Sequence, residues 1–472
     1  MKKMRLILLA AGFMVSAASF IFTGCTKEGP AGANGKDGAN GADGKDANET
    51  CKQCHSPSMV DKVATEFELA KHSWGTVAFE EAGNTGCTPC HASKAFVYVC
   101  QNNVPSTFTL NTTTGKWVND YATDNADAIG AINCWTCHTS LHTTYGTGDL
   151  ALTTTAPVSM TMWGGAITKT INLVQDSSRS NLCVKCHQPR PLVCNAPSTA
   201  KTNSRLLDYD SLKNFPDLVM FDSAAPNKNK WVKPSYRMHV HYGAVGAVFA
   251  GMGAIEYPGT ILYSNSKHTT VASCPDCHMA QPMTGIAGGH AFNVRNAKES
   301  ALVLTGGSPT TFNFNGCNVT DCHADEPMSL TAAKWVNTRT EIQGLLDDLA
   351  TAINAAGGGH DILHSDASST NLWWGVSAGN YDGYLDIYTP GTNDNGYWRD
   401  PYSTNATNLT KPQFPSLTFL QTGALINFQF CLREYSLGIH NTNYVRALLK
   451  NTAEALNAAT LASRGSLKRA GR

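Results

Sequence analysis

Five times the chain reads Cys-x-x-Cys-His: at Cys51/Cys54/His55, Cys87/Cys90/His91, Cys134/Cys137/His138, Cys183/Cys186/His187 and Cys274/Cys277/His278. A sixth, longer version, Cys-x4-Cys-His, stands at Cys317/Cys322/His323. Two thiols at this spacing can form thioethers to the two vinyl groups of one haem, and the histidine that follows then falls under the iron as an axial ligand. A single Cys-x-x-Cys could be a redox dithiol, and paired ones could build a zinc ribbon. Neither chemistry asks for a histidine after the second cysteine every time. The spacing therefore predicts six covalently bound haem c groups, five on the short motif and one on the long. Cys100, Cys194 and Cys431 are left over; the first two are candidates for a disulfide and the third for a small buried side chain.

Each iron would need a second axial ligand, and its identity separates a wire from an enzyme. An iron between two histidines is closed and exchanges electrons; an open iron can bind a substrate. Nine of the fifteen histidines lie outside the motifs. The candidates are His72, between the first two motifs; His142, four residues after His138; and His241, ahead of the glycine-rich run 243–259. His268, six residues before Cys274, His290, after Gly288-Gly289, and His440 complete the set. His239 is the less favoured neighbour of His241, while His360 and His364 read as solvated side chains.

The elements that must carry these residues differ along the chain. Residues 50–330 show little sustained periodicity and many Gly, Asn, Thr and Pro connections, which predicts a multihaem domain whose core is the macrocycles, with short helices carrying each motif. Residues 331–472 read as helical. Thr338-Arg-Thr-Glu341 has the pattern of a capping box, followed by Ile342, Leu345, Leu346, Leu349 and Ile353 at helical spacing. A second helix is expected over 417–437, stopped by Gly438. A third is expected from about Asn441, with Val445, Leu448, Leu449, Ala453 and Leu456 on one face. His440, in the joint between them, is placed to reach a haem. The fold class is mainly α with much irregular chain.

Composition limits the partners. Lys and Arg balance Asp and Glu, and only 15% of residues are charged, which argues against nucleic acid. The N-terminus has three cations within Met1–Arg5, then a short apolar run to Phe22, then Thr23-Gly24-Cys25. This is the build of an export signal. It resembles a bacterial lipoprotein signal over residues 1–24, which implies lipidation at Cys25; Thr26 after it implies passage to the outer membrane. Over residues 25–49 glycine recurs at every third position from Gly29 to Gly44 with one proline, Pro30. The spacing is collagen-like, but so short and proline-poor a run reads as a tether with an end-to-end distance of roughly 20–25 Å.

His268-Thr-Thr-Val-Ala-Ser-Cys274-Pro-Asp-Cys277-His278-Met279 and the later His290 resemble a haem segment of the pentahaem nitrite reductases. Gly438-Ile439-His440-Asn441, followed by Tyr444 and Leu448-Leu449, is similar to a distal-histidine turn of that superfamily. The likeness spans residues 230–450 and implies distal-ligand roles for His268, His290 and His440. The Cys-x-x-Cys-Lys motif of that family's catalytic haem is absent, so nitrite reduction by its mechanism is not expected. Haem number and chain length also resemble the hexahaem outer-surface cytochromes that conduct electrons. The expected function is electron transfer at the outer membrane, the cell surface or its periplasmic face, to other cytochromes, redox proteins or extracellular acceptors. A homo-oligomer or filament is compatible with that resemblance, although anchor and tether favour a surface-bound protein. The alternative is a reductase of a small nitrogen or sulfur oxyanion with one open haem, for which Tyr236, Arg237, His239 and Tyr242 would supply protons.

Overall fold

The computed structural model describes residues 51, 55–74, 87–104, 108–111, 116–119, 130–160, 169–189, 193–194, 205–206, 209–218, 240–241, 243–283, 287–296, 312–356, 363–365, 381–385 and 418–470, and thirteen α-helices lie among them. Of the described residues, 53% are helical and 4% lie in strands, so the molecule is mainly α with irregular chain. The division by contacts is into Met1–Thr50 and Cys51–Arg472. The export signal, Cys25 and the glycine-rich tether fall outside the described residues, as do Cys54, Tyr236, Arg237, His239, Tyr242 and His360.

The helices are α1 (Lys62–Glu68), α2 (Lys71–Trp74), α3 (Thr88–His91), α4 (Ser93–Gln101), α5 (Cys134–Cys137), α6 (Ser180–Cys186), α7 (Tyr209–Asn214), α8 (Val245–Phe249), α9 (His268–Val271), α10 (Cys274–His278), α11 (Met328–Ala356), α12 (Phe419–Leu432) and α13 (Thr442–Ala470). Strands form isolated antiparallel pairs, such as Val158–Met160 with Lys169–Ile171. No described helix is long and apolar enough to cross a membrane.

The principal core gathers α11, α12 and α13 with residues drawn from 158–257. Helix α12 is apolar on nearly every face and is buried from Phe419 to Leu432, Gln421 excepted; a helix of that composition has to be enclosed by protein. Its N-terminus is closed by a reciprocal capping box between Thr418 and Gln421, which satisfies two orphan N–H groups. On α13, Val445, Leu448, Leu449 and Leu456 are buried as the periodicity predicts.

Two expected boundaries are wrong: α12 ends at Leu432 and not at Gly438, with Tyr435 and Leu437 already in the left-handed region, and α11 begins ahead of its expected cap. Thr338 and Glu341 do not begin a helix; they lie inside α11, which starts at Met328. The start is set by Pro327, whose carbonyl accepts the Leu330 N–H at 2.8 Å, and proline is favoured where the first N–H groups have no helical partner. Glu341 instead accepts both ends of the Arg446 guanidinium on α13, at 2.5 and 2.8 Å.

Candidate functional site

Each short motif whose backbone is described closes as a single helical turn. The histidine N–H donates to the carbonyl of the first cysteine: His55 to Cys51 at 2.7 Å, His91 to Cys87 at 3.0 Å, His138 to Cys134 at 2.9 Å and His187 to Cys183 at 2.9 Å. The turns are capped from the sequence just ahead. Asn133 accepts from Trp135 N–H before the third motif, and Ser273 and Asp276 form a capping box around the start of α10. The long motif reaches the same closure by a different path: His323 N–H donates to the Cys317 carbonyl at 3.0 Å, with Asp321 in the left-handed region at φ 68° absorbing the extra residues.

The motif histidines meet histidines from outside the motifs. Ring centres are 5.6 Å apart for His55 and His142, 6.4 Å for His91 and His241, 6.0 Å for His187 and His72, 6.2 Å for His278 and His440, and 6.4 Å for His323 and His268. Burial holds the His290 imidazolium below the usual range, with Glu66 opposing and His138 adding to it. Five motif histidines thus face five outside candidates once each, and His138 and His290 are left for each other. A metal–imidazole bond is roughly 2 Å, so two imidazoles on opposite sides of one ion have their centres about 6 Å apart. The pairs fit that requirement. Among the described residues no group of three or more His, Cys, Asp or Glu could hold a metal ion; an iron in a macrocycle asks the protein for two axial ligands.

Burial disfavours the charged form of His72, His187, His278 and His290, and the neutral form is the one that binds a metal. Desolvation, then the imidazoles of His72, His278, His440 and His91, push His187 down to about 3. His278 is pushed down to about 4, again chiefly by burial.

The second ring nitrogen of several histidines is fixed. Nδ1 of His138 faces the Leu150 carbonyl at 3.0 Å, that of His268 the Ile439 carbonyl at 3.1 Å, and that of His278 the Phe292 carbonyl at 3.0 Å. A carbonyl accepts only from N–H, so the proton sits on Nδ1 and leaves Nε2 as the donor atom for a metal. His440 differs. Its Nδ1 lies 2.5 Å from Oε2 of Glu434, a fully buried carboxylate that also accepts from Ser436 Oγ at 2.6 Å and from Gly438 N–H at 2.8 Å. Burial opposes charge on both partners, but their mutual attraction outweighs it. Glu434 is held below the usual carboxylate range and His440 above the usual imidazole range.

The C-terminal helices position His241, His268 and His440. His241 is bracketed: Gln429 Oε1 accepts the Val240 N–H at 3.0 Å, Arg433 Nη1 donates to the Val240 carbonyl at 2.6 Å, and the Arg433 carbonyl accepts the Gly243 N–H at 3.1 Å. Asn441 ties the His440 turn to the His268 segment by accepting from Ser266 N–H at 2.9 Å and donating to Asn265 at 2.8 Å. Gly438 has φ 82°, and a Cβ there would stand 2.6 Å from Ile342; the turn that aims His440 requires glycine.

His142 follows His138 through a turn, with φ 63°, and its ring faces His55 of the first motif. His364 lies in the strand Leu363–Ser365. Cys100 is a free thiol and Cys431 is fully buried. Sequence reasoning missed Glu434, although it is the one acidic residue between Leu417 and Leu449, and a lone charge in an apolar stretch calls for a buried partner. Phe292 was missed too, and nothing in its spacing singles it out.

Comparison of the chain with protein-family models, with curated proteins and with solved structures finds no match.

Proposed function

We propose that this chain is a hexahaem c-type cytochrome that transfers electrons. The observation that carries the reading is the pairing of five motif histidines with five outside histidines, each used once, at the separation an axially ligated metal needs. Under it, the cysteine pairs bind haem covalently, the motif histidines are proximal ligands, and His72, His142, His241, His268, His290 and His440 are distal ligands. Bound haem supplies reversible one-electron chemistry at iron. The protein's part would be to hold both axial positions and to fix Nδ1 protons, on carbonyls at His138, His268 and His278 and on Glu434 at His440. With five of the six motif histidines facing a partner, the arrangement supports a closed wire over a reductase with an open iron.

The absorption spectrum of the purified protein, oxidised and reduced, with haem counted per chain and carbon monoxide added, tests this. Six low-spin haems indifferent to carbon monoxide are expected; fewer haems, or a high-spin fraction that binds the gas, would count against it. We further propose that Cys25 carries lipid and that the tether holds the cytochrome at the outer membrane, facing redox proteins or extracellular acceptors. Cys25→Ser is then expected to release the protein from the membrane fraction, and unchanged membrane association would refute the anchor.

A further inference from the structure

The six sites are not arranged in the order of the chain. Helix α6, which carries Cys183 and Cys186, packs against α3 of the second motif on one side and α10 of the fifth on another. The contacts are close. Cys90 Sγ points at the Lys185 carbonyl at 3.9 Å and shares a hydrogen bond with Cys186. Cys183 shares one with Cys274, whose N–H donates to Ser180 Oγ at 3.0 Å. The third motif is tied to α6 as well: the Cys137 carbonyl accepts the Thr153 N–H at 2.8 Å, and the nearby Thr155 carbonyl accepts from Asn181 Nδ2 of α6 at 3.0 Å.

The distal side repeats this convergence through one residue. The ring of Phe292 lies 5.2 Å from His72 of the fourth site and 5.8 Å from His290 of the third. Its carbonyl accepts from His278 of the fifth at 3.0 Å. Phe292 does this from a left-handed conformation, φ 57°, which a bulky side chain rarely adopts and which tends to persist only where the surroundings impose it. The first and sixth sites lie outward. Trp135, inside the third motif, stands 6.3 Å from His142 of the first site. The sixth motif abuts the fifth, where a Cβ on Gly316 would meet the Asp276 carbonyl at 2.1 Å.

We infer that the fourth site, His187 with His72, is the hub of a branched path that runs 1–3–4–5–6 with site 2 as a side arm, and that Phe292 is the positioning residue that couples sites 3, 4 and 5. This rests on the haem reading above. An electron entering at either outer site would have to pass through site 4 to reach the other, each transfer oxidising one iron and reducing its neighbour by one electron.

Iron positions in the intact, haem-loaded protein, from an experimental density map, test the order. The expected result is three near neighbours for the motif-4 iron, those of motifs 2, 3 and 5. Irons strung from 1 to 6 in chain order would overturn the hub while leaving the cytochrome reading intact; fewer than six irons would overturn both. Phe292→Asn, which tolerates the left-handed backbone, tests the coupling. Haem content should stay at six while the low-spin electron paramagnetic signals of three irons shift and the other three do not. An unchanged spectrum, or a shift of all six, would remove Phe292 from the role. If that variant does not accumulate, the iron map alone decides the hub.

Discussion

His72 faces His187 across 6.0 Å although two complete Cys-x-x-Cys-His motifs lie between them in the chain. Position in sequence would assign His72 to the first or second motif. Replacing His72 with Ala is therefore expected to open the fourth site and leave the first two closed. The measurement is carbon monoxide binding to the reduced protein, with the affected haem identified by combining the change with Cys183→Ser. One of six haems should bind the gas.

The long motif should behave as a full attachment site, because the His323 N–H to Cys317 bond reproduces the closure of the short ones. Changing Cys317 and Cys322 together to Ser should lower the mass of the intact protein by one haem and remove one low-spin site. Loss of no haem would show that the longer turn does not attach one.

Glu434 should lower the potential of the haem at the fifth site. A buried carboxylate on Nδ1 of His440 makes the imidazole a stronger donor and favours oxidised iron. Each tenfold by which the carboxylate favours ferric over ferrous iron corresponds to about 59 mV for one electron. Glu434→Gln is expected to raise one of six midpoint potentials on that scale in a potentiometric titration, with the others unmoved.

Gly438→Ala should both destabilise the fold and loosen His440. A left-handed non-glycine residue costs about 1–3 kcal/mol, and the added Cβ would press on Ile342. Thermal unfolding should move to lower temperature, and a high-spin fraction should appear at the fifth site. A structural effect alone would lower the midpoint without the spectral change.

Stability should fall on acidification. His187 and His278 sit near 3 and 4 in the folded chain against about 6.5 when unfolded. Between those values the unfolded state binds more protons, so stability rises with pH and is lost as pH drops from about 6.5 towards 4 and below. Iron coordination acts with the same sign, since protons compete for the ligand nitrogen. Unfolding temperature measured from pH 8 to pH 4 should decline through that window.

By itself the sequence determined what depends on neighbours along the chain. A cysteine pair and the next histidine close into one turn because the bond that closes it spans only a few residues, and the apolar stripe of α13 follows from helical period. Both are local. The misplaced start of α11 shows the limit: Thr338 and Glu341 have the spacing of a cap, but Pro327 and the packing of Ala332 and Trp335 beside Phe312 and Phe314 carry the helix back past them. What only the tertiary structure decided is which histidine faces which motif. Those pairs join segments far apart in the chain, and their distances are set by the burial of α12 and by the hydrogen bonds that Gln429, Arg433 and Asn441 make to the ligand-bearing loops. Glu434 acquires its place the same way, since a carboxylate can be buried among apolar helices only where folding brings His440, Ser436 and Gly438 to it.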